Sequence, residues 1–140
     1  MRTTRWNLVL GLGLLLAAAL ACSFGTANIS SLKLGKNKSV SEETSNFSSN
    51  DTVYAVAEIS NVPSKVKVKA RVVIDDVEGH QSGSPASDEP SLDLPGSGTA
   101  TFTFTPPPTG WHKGKYKVEV VMMDENGVQK DQKTANFTVS

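Results

Sequence analysis

The residues able to do chemistry fall into four groups. Cys22 is the only cysteine, and His80 and His112 are the only histidines. Six acids, Asp75, Asp76, Glu78, Asp88, Glu89 and Asp93, gather in and around one Gly/Ser/Pro-rich stretch. Lys65, Lys67, Lys69 and Arg71 recur at every second position, and Lys115 and Lys117 repeat that spacing. The acids suggest a hard cation, because calcium takes about six to eight oxygen ligands, but no EF-hand spacing accompanies them. The cations suggest attraction of phosphate or carboxylate groups on lipids, glycans or a partner protein. Against this, lysine on an exposed strand also keeps a sheet soluble and discourages edge pairing, and the solvated reading is the preferred one. For hydrolysis there is no G-x-S-x-G elbow to mark a nucleophile among the many serines.

Cys22 is explained by what precedes it. Arg2 and Arg5 give a basic start, and Leu8 to Ala21 is an uncharged apolar run of about fourteen residues ending in small side chains. That is the layout of a secretory signal, and the run is short of the roughly 20 residues a membrane-spanning helix needs. The segment Leu14-Leu-Leu-Ala-Ala-Ala-Leu-Ala-Cys22 resembles the lipobox of bacterial lipoproteins, with Ala19 where that family prefers leucine. The resemblance implies cleavage before Cys22 and a diacylglyceryl group on its thiol. A chain whose one thiol is consumed by lipid also avoids the liability of a free exported cysteine. Each buried CH₂ contributes about 0.8 kcal/mol; one acyl chain anchors marginally, whereas two or three hold firmly. A blue-copper centre, which needs a thiolate beside two histidines, is then out of reach, and Met122 and Met123 are read as packing residues. Five Asn-x-Ser/Thr sequons, beginning at Asn28, Asn37, Asn46, Asn50 and Asn136, are read as chance in a Ser/Thr/Asn-rich chain.

The elements that must position these residues are strands. Without residues 1–21, the fourteen basic side chains lose Arg2 and Arg5, leaving twelve against fourteen acids, a formal charge of −2. Such a balance carries no nucleic-acid footprint. Val53, Ala55, Ala57 and Ile59 share one face of a strand whose other face carries Tyr54, Val56 and Glu58, and period-two faces recur in Val66 to Ile74, Ala100 to Phe104, Tyr116 to Met122, and Ala135 to Val139. Period-two alternation argues for half-buried strands, since a helix would repeat every three or four residues. A first strand is expected at Ile29–Leu34 and a short edge strand at Ser91–Leu94. Residues 35–50, with only Val40 and Phe47 apolar, and residues 77–98 read as mobile loops. Pro106-Pro107-Pro108 should stop one strand, and Asp124-Glu125-Asn126-Gly127 should turn another.

About seven strands in roughly 110 residues resemble an immunoglobulin-like or fibronectin type III-like antiparallel β-sandwich without its disulfide. That resemblance implies a structural role for Tyr116, bonded back to the preceding corner, with Trp111 covering one end of the core. The expected organisation is a signal peptide at 1–21, a lipidated tether at 22–28 and one all-β domain at 29–140. The chain also resembles the small single-domain lipoproteins that bacteria display. The expected function is a non-catalytic binding or structural module, lipid-anchored on the extracytoplasmic side of a bacterial membrane, with no cofactor and no nucleic acid. Its partners would be membrane lipid through acylated Cys22 and an envelope protein or glycan. Two alternatives are a small hydrolase or metal-dependent enzyme using His80 or His112 with the acidic loop, and an anion or glycan binder using Lys65, Lys67, Lys69, Arg71, Lys115 and Lys117.

Overall fold

The computed structural model describes residues 26–140, and every regular element among them is a strand. The expected signal peptide and Cys22 lie outside the described residues. The strands are β1 (Asn28–Gly35), β2 (Asn46–Phe47), β3 (Val53–Ser60), β4 (Val66–Val77), β5 (Ser91–Leu94), β6 (Gly98–Phe104), β7 (Gly114–Met123) and β8 (Gln129–Val139). They form a three-stranded sheet, β1-β3-β6, and a five-stranded sheet, β2-β8-β7-β4-β5. This is the immunoglobulin-like sandwich. All pairings are antiparallel except the short parallel β2–β8 contact, Asn46 with Thr138 and Phe47 with Val139.

Alternation does the folding work. Because successive side chains point to opposite faces, β3 buries Val53, Ala55 and Ala57 while its partner β6 buries Ala100. On the facing sheet β4 buries Val68 and Val72, and β7 buries Val118, Val120 and Met122; all nine of these side chains are 0–1% exposed. Full burial of each larger apolar side chain stabilises the fold by about 1.5–3 kcal/mol.

The strand registers define two poles. At one lie the start of β1, the end of β3, and the turns at 61–65, 95–97 and 124–128. At the other lie the connections 36–52 and 105–113 and the turn after Val77. β1 is fastened at the first pole, where the Ile29 amide donates to Asp131 Oδ2 on the opposite sheet at 2.8 Å.

Three boundaries differ from the sequence expectation. β4 runs on to Val77 through a bulge between Ile74 and Asp76, and β8 begins at Gln129 rather than near Ala135. Residues 129–133 carry no apolar alternation, so ladder pairing with β7, not burial, makes them a strand. The third is β2, in a stretch whose composition promised no packing. Phe47 is nevertheless 1% exposed and meets Phe137 edge-on at 5.4 Å. Val40, earlier in the same connection, is also buried, and its left-handed φ of 47° is one that a β-branched residue rarely adopts.

The interval 77–98 is also anchored. The Ala70, Val72 and Ile74 amides donate to the Pro90 carbonyl, Ser87 Oγ and the Ser84 carbonyl, while the Ala86 and Gly83 amides donate to the Val72 and Ile74 carbonyls, so the chain after Val77 doubles back along β4 before entering β5. The interval therefore satisfies the edge of β4 along most of its length. Val73 points away from the interior yet is 1% exposed, because Pro85 bridges to it from this strap. Replacing Phe47 by Ala should lower the unfolding free energy by about 3–5 kcal/mol, the usual cost of emptying a buried aromatic site, as read from urea denaturation.

Candidate functional site

The outer face of the larger sheet carries the alternating cations, and the register redistributes them. Lys67 stands opposite Asp93 of β5 and Met123 of β7, and Lys69 opposite Ser91 and Val121. Arg71 stands opposite Glu119, and both its Nε and an Nη bond to Glu119 Oε2, at 3.2 and 3.1 Å. Glu89 comes in from the strap, 3.9 Å from both Lys69 Nζ and Arg71 Nε. Lys117 and Lys115 fall opposite Val73 and Asp76, not beside the other lysines. The cation stripe is therefore interrupted at Lys69 and Arg71 by two glutamates, Glu89 and Glu119. Among the described residues, Lys65, Lys67, Lys115 and Lys117 form no ion pair. Lys65 and Lys67 line an open depression of about 590 Å³ together with Met123, Asp93, Asp124 and Glu125, so even this part has mixed charge.

Asp124 belongs to the hairpin rather than to a ligand site. Its Oδ1 accepts from the Val128 and Asn126 amides, both at 2.9 Å, and these bonds, aided by Lys130, hold its carboxyl below the ordinary value. Gly127, at φ 77°, supplies the left-handed residue the turn requires.

The second pole is organised by aromatic side chains. Trp111 is buried and donates its Nε1–H to the Asp51 carbonyl at 2.9 Å, while its amide donates to the Ser49 carbonyl at 2.8 Å. Ser49 Oγ returns a bond to the Trp111 carbonyl. Gly110, at φ 81°, lies against Ser49 so closely that a Cβ would collide with it. Tyr116 stacks on Phe137 at 5.2 Å and meets Trp111 edge-on at 5.8 Å. Its hydroxyl donates to the His112 carbonyl at 2.7 Å, the arrangement known as a tyrosine corner, and burial pushes the phenol above its ordinary pKa. Asp51 caps the adjoining turn: its Oδ2 accepts from the Ser48 amide at 2.7 Å and faces Lys36 Nζ at 3.2 Å, which together hold its carboxyl low.

The remaining candidates are dispersed or paired in ways the sequence did not reveal. Asp75, Asp76, Glu78 and Asp88 are exposed. Among the described residues, no group of three or more His, Cys, Asp or Glu side chains is placed to hold a metal ion. Met122 is buried inward and Met123 is half-buried. Asn37 braces its own loop, its Oδ1 accepting from the Ser41 amide and the Ser39 hydroxyl. His80 and His112 meet: their ring centroids are 4.9 Å apart with a 36° tilt. Nothing in the local sequence signals this pairing, which depends on the β4–β7 ladder ending with Val77 opposite Gly114, so that the turn after β4 lies beside the approach to β7.

Two substitutions probe this pole. Tyr116→Phe should cost about 1 kcal/mol in urea unfolding, because the His112 carbonyl loses its donor. Asp51 is a carboxylate with a lowered folded pKa, so it contributes stability above its unfolded value that is lost as pH falls through the folded one. The stability advantage of the native chain over Asp51→Asn should accordingly shrink below about pH 4 in a pH series of unfolding curves.

No protein-family model matches the chain, and no curated protein sequence matches it. Solved structures do. The C-terminal domain of wzt is similar with a TM-score of 0.56 and 12% identity, over 83% of this chain and 74% of that one. Beta-glucuronidase 2 of Bacteroides uniformis is similar with a TM-score of 0.52 and 12% identity, over 81% of this chain. The chain spans only 14% of that enzyme's length. At such identities the likeness is one of fold alone, and the fold shared is the β-sandwich.

Proposed function

We propose that this chain is an extracytoplasmic bacterial lipoprotein, anchored through lipid on Cys22, whose sandwich serves as a non-catalytic binding or structural module. The observation that carries the second half is the nature of the interior. Every buried side chain among the described residues is hydrophobic or aromatic, and the polar atoms of Tyr116 and Trp111 are consumed by the His112 and Asp51 carbonyls. Two depressions among the described residues are open at the surface; one is lined by Lys65, Lys67, Asp93, Asp124 and Glu125, the other, beside Pro106, by Asp88 as its one charged side chain, and neither is lined by a histidine. A catalyst would bring a base and its orienting partner within hydrogen-bond reach inside a pocket. A filled sandwich with varied loops at one pole supports recognition instead.

The anchor suits this architecture. Residues 22–27 could span at most roughly 20 Å as extended chain, and β1 begins at the pole opposite Trp111. The module would stand with its aromatic pole away from the bilayer and its 61–65 and 124–128 turns towards it. Feeding bacteria an alkyne-bearing fatty acid should label the native chain and not Cys22→Ser, with intact mass placing the mature N-terminus at Cys22. An unlabelled native chain, or a mature N-terminus elsewhere, would refute the anchor. The module reading fails if the purified native protein turns over ester, amide or glycoside substrates and His80→Gln or His112→Gln abolishes that turnover.

A further inference from the structure

We propose that His80 and His112 together form an open binding site for a divalent transition cation, of the Zn²⁺, Cu²⁺ or Ni²⁺ class, at the pole away from the start of β1. The two rings come from positions 32 apart in sequence and are brought to a centroid separation of 4.9 Å, inclined at 36°. Both side chains are exposed, so burial does not account for the pairing. Neutral imidazole is the common ligand of these metals, and two convergent imidazoles chelate where one would bind weakly. Two imidazoles bound to one tetrahedral metal through nitrogens about 2.0–2.1 Å away hold their ring centroids on the order of 5 Å apart, which is the separation of this pair.

The backbone under each ring is held. His80 follows Val77 in a turn closed by its own amide donating to the Val77 carbonyl at 3.1 Å. His112 lies between the buried Trp111 and the Tyr116 hydroxyl that donates to its carbonyl. The backbone on both sides of the site is therefore fixed before a metal arrives, which confines the ordering cost of binding to the two exposed side chains. Two protein ligands leave two or more coordination positions for water or for a donor on a bound partner. The cation would also tie the strap over β4 to the 105–113 connection, so that binding stabilises the folded chain only. Nothing in this inference depends on the lipid anchor.

The test uses the full chain without a histidine tag, with a Cys22→Ser version in parallel so that the thiol cannot compete. Cu²⁺ or Ni²⁺ alone is titrated while tryptophan fluorescence is followed, because Trp111 adjoins His112. Expected are one metal per chain, reversal by EDTA, and a rise in thermal midpoint with Zn²⁺. His80→Gln and His112→Gln should each weaken binding at least about tenfold, and the double variant should bind little less than either single one, since each single change already destroys the chelate. Both substitutions are at exposed side chains and leave the Tyr116–His112 backbone bond intact, so circular dichroism should be unchanged. In NMR spectra, diamagnetic Zn²⁺ should shift the Hε1 signals of both histidines together. The proposal is overturned if no metal binds at millimolar concentration, if either single variant binds as tightly as the native chain, or if Zn²⁺ shifts the signal of only one histidine.

Discussion

The structure depends on a single packing constraint: two twisted sheets must close over one another with no polar group between them. Alternation along β3, β4, β6 and β7 meets it by committing every second residue to the interior, where valine, alanine and isoleucine interdigitate with Phe102, Phe104 and Met122. Once that interior is full, any residue with chemistry must sit on an outer face, on a turn or at a pole. The distribution of lysines, acids and histidines over the surface follows from this exclusion, not from convergence on a pocket.

A second layer of organisation serves to finish what alternation leaves open. A five-stranded sheet has two edges. β2 covers one by pairing with β8, and β5 with its preceding strap covers the other by bonding along β4. At the aromatic pole Phe47, Trp111, Tyr116 and Phe137 stack edge-on and face-on to seal the space between the sheets. The closure of this pole spends polar atoms as well as apolar surface, since backbone carbonyls at Asp51 and His112 receive the indole and phenol protons. His80 and His112 are positioned by this layer.

The four central strands were legible because burial on one face writes itself into the chain as a period of two. So was the 124–127 turn, through Gly127. What could not be read were features fixed by distant partners. β2 owes its existence to Phe137 and Val139, some ninety residues away, and the first half of β8 to hydrogen bonds with β7. The lysine stripe was legible as a stripe, but its charge was not. Glu89 reaches Lys69 and Arg71 only because the strap folds back, and a one-strand register decides that Arg71 faces Glu119 while Lys117 faces Val73. The histidine pair is invisible for the same reason.

The placement of β1 has a mechanical corollary. It is an edge strand bonded antiparallel to β3 along nearly its whole length, and it runs from one pole towards the other. A pull on the chain ahead of Asn28, resisted by anything gripping the far pole, acts along the strand axis. The β1–β3 ladder would then be loaded in shear, with its bonds sharing the force rather than parting one after another, and the Ile29–Asp131 bond would take the first increment of strain. Gripped instead beside β1 at the near pole, the same chain would peel, so the point of attachment sets how much tension this sandwich withstands.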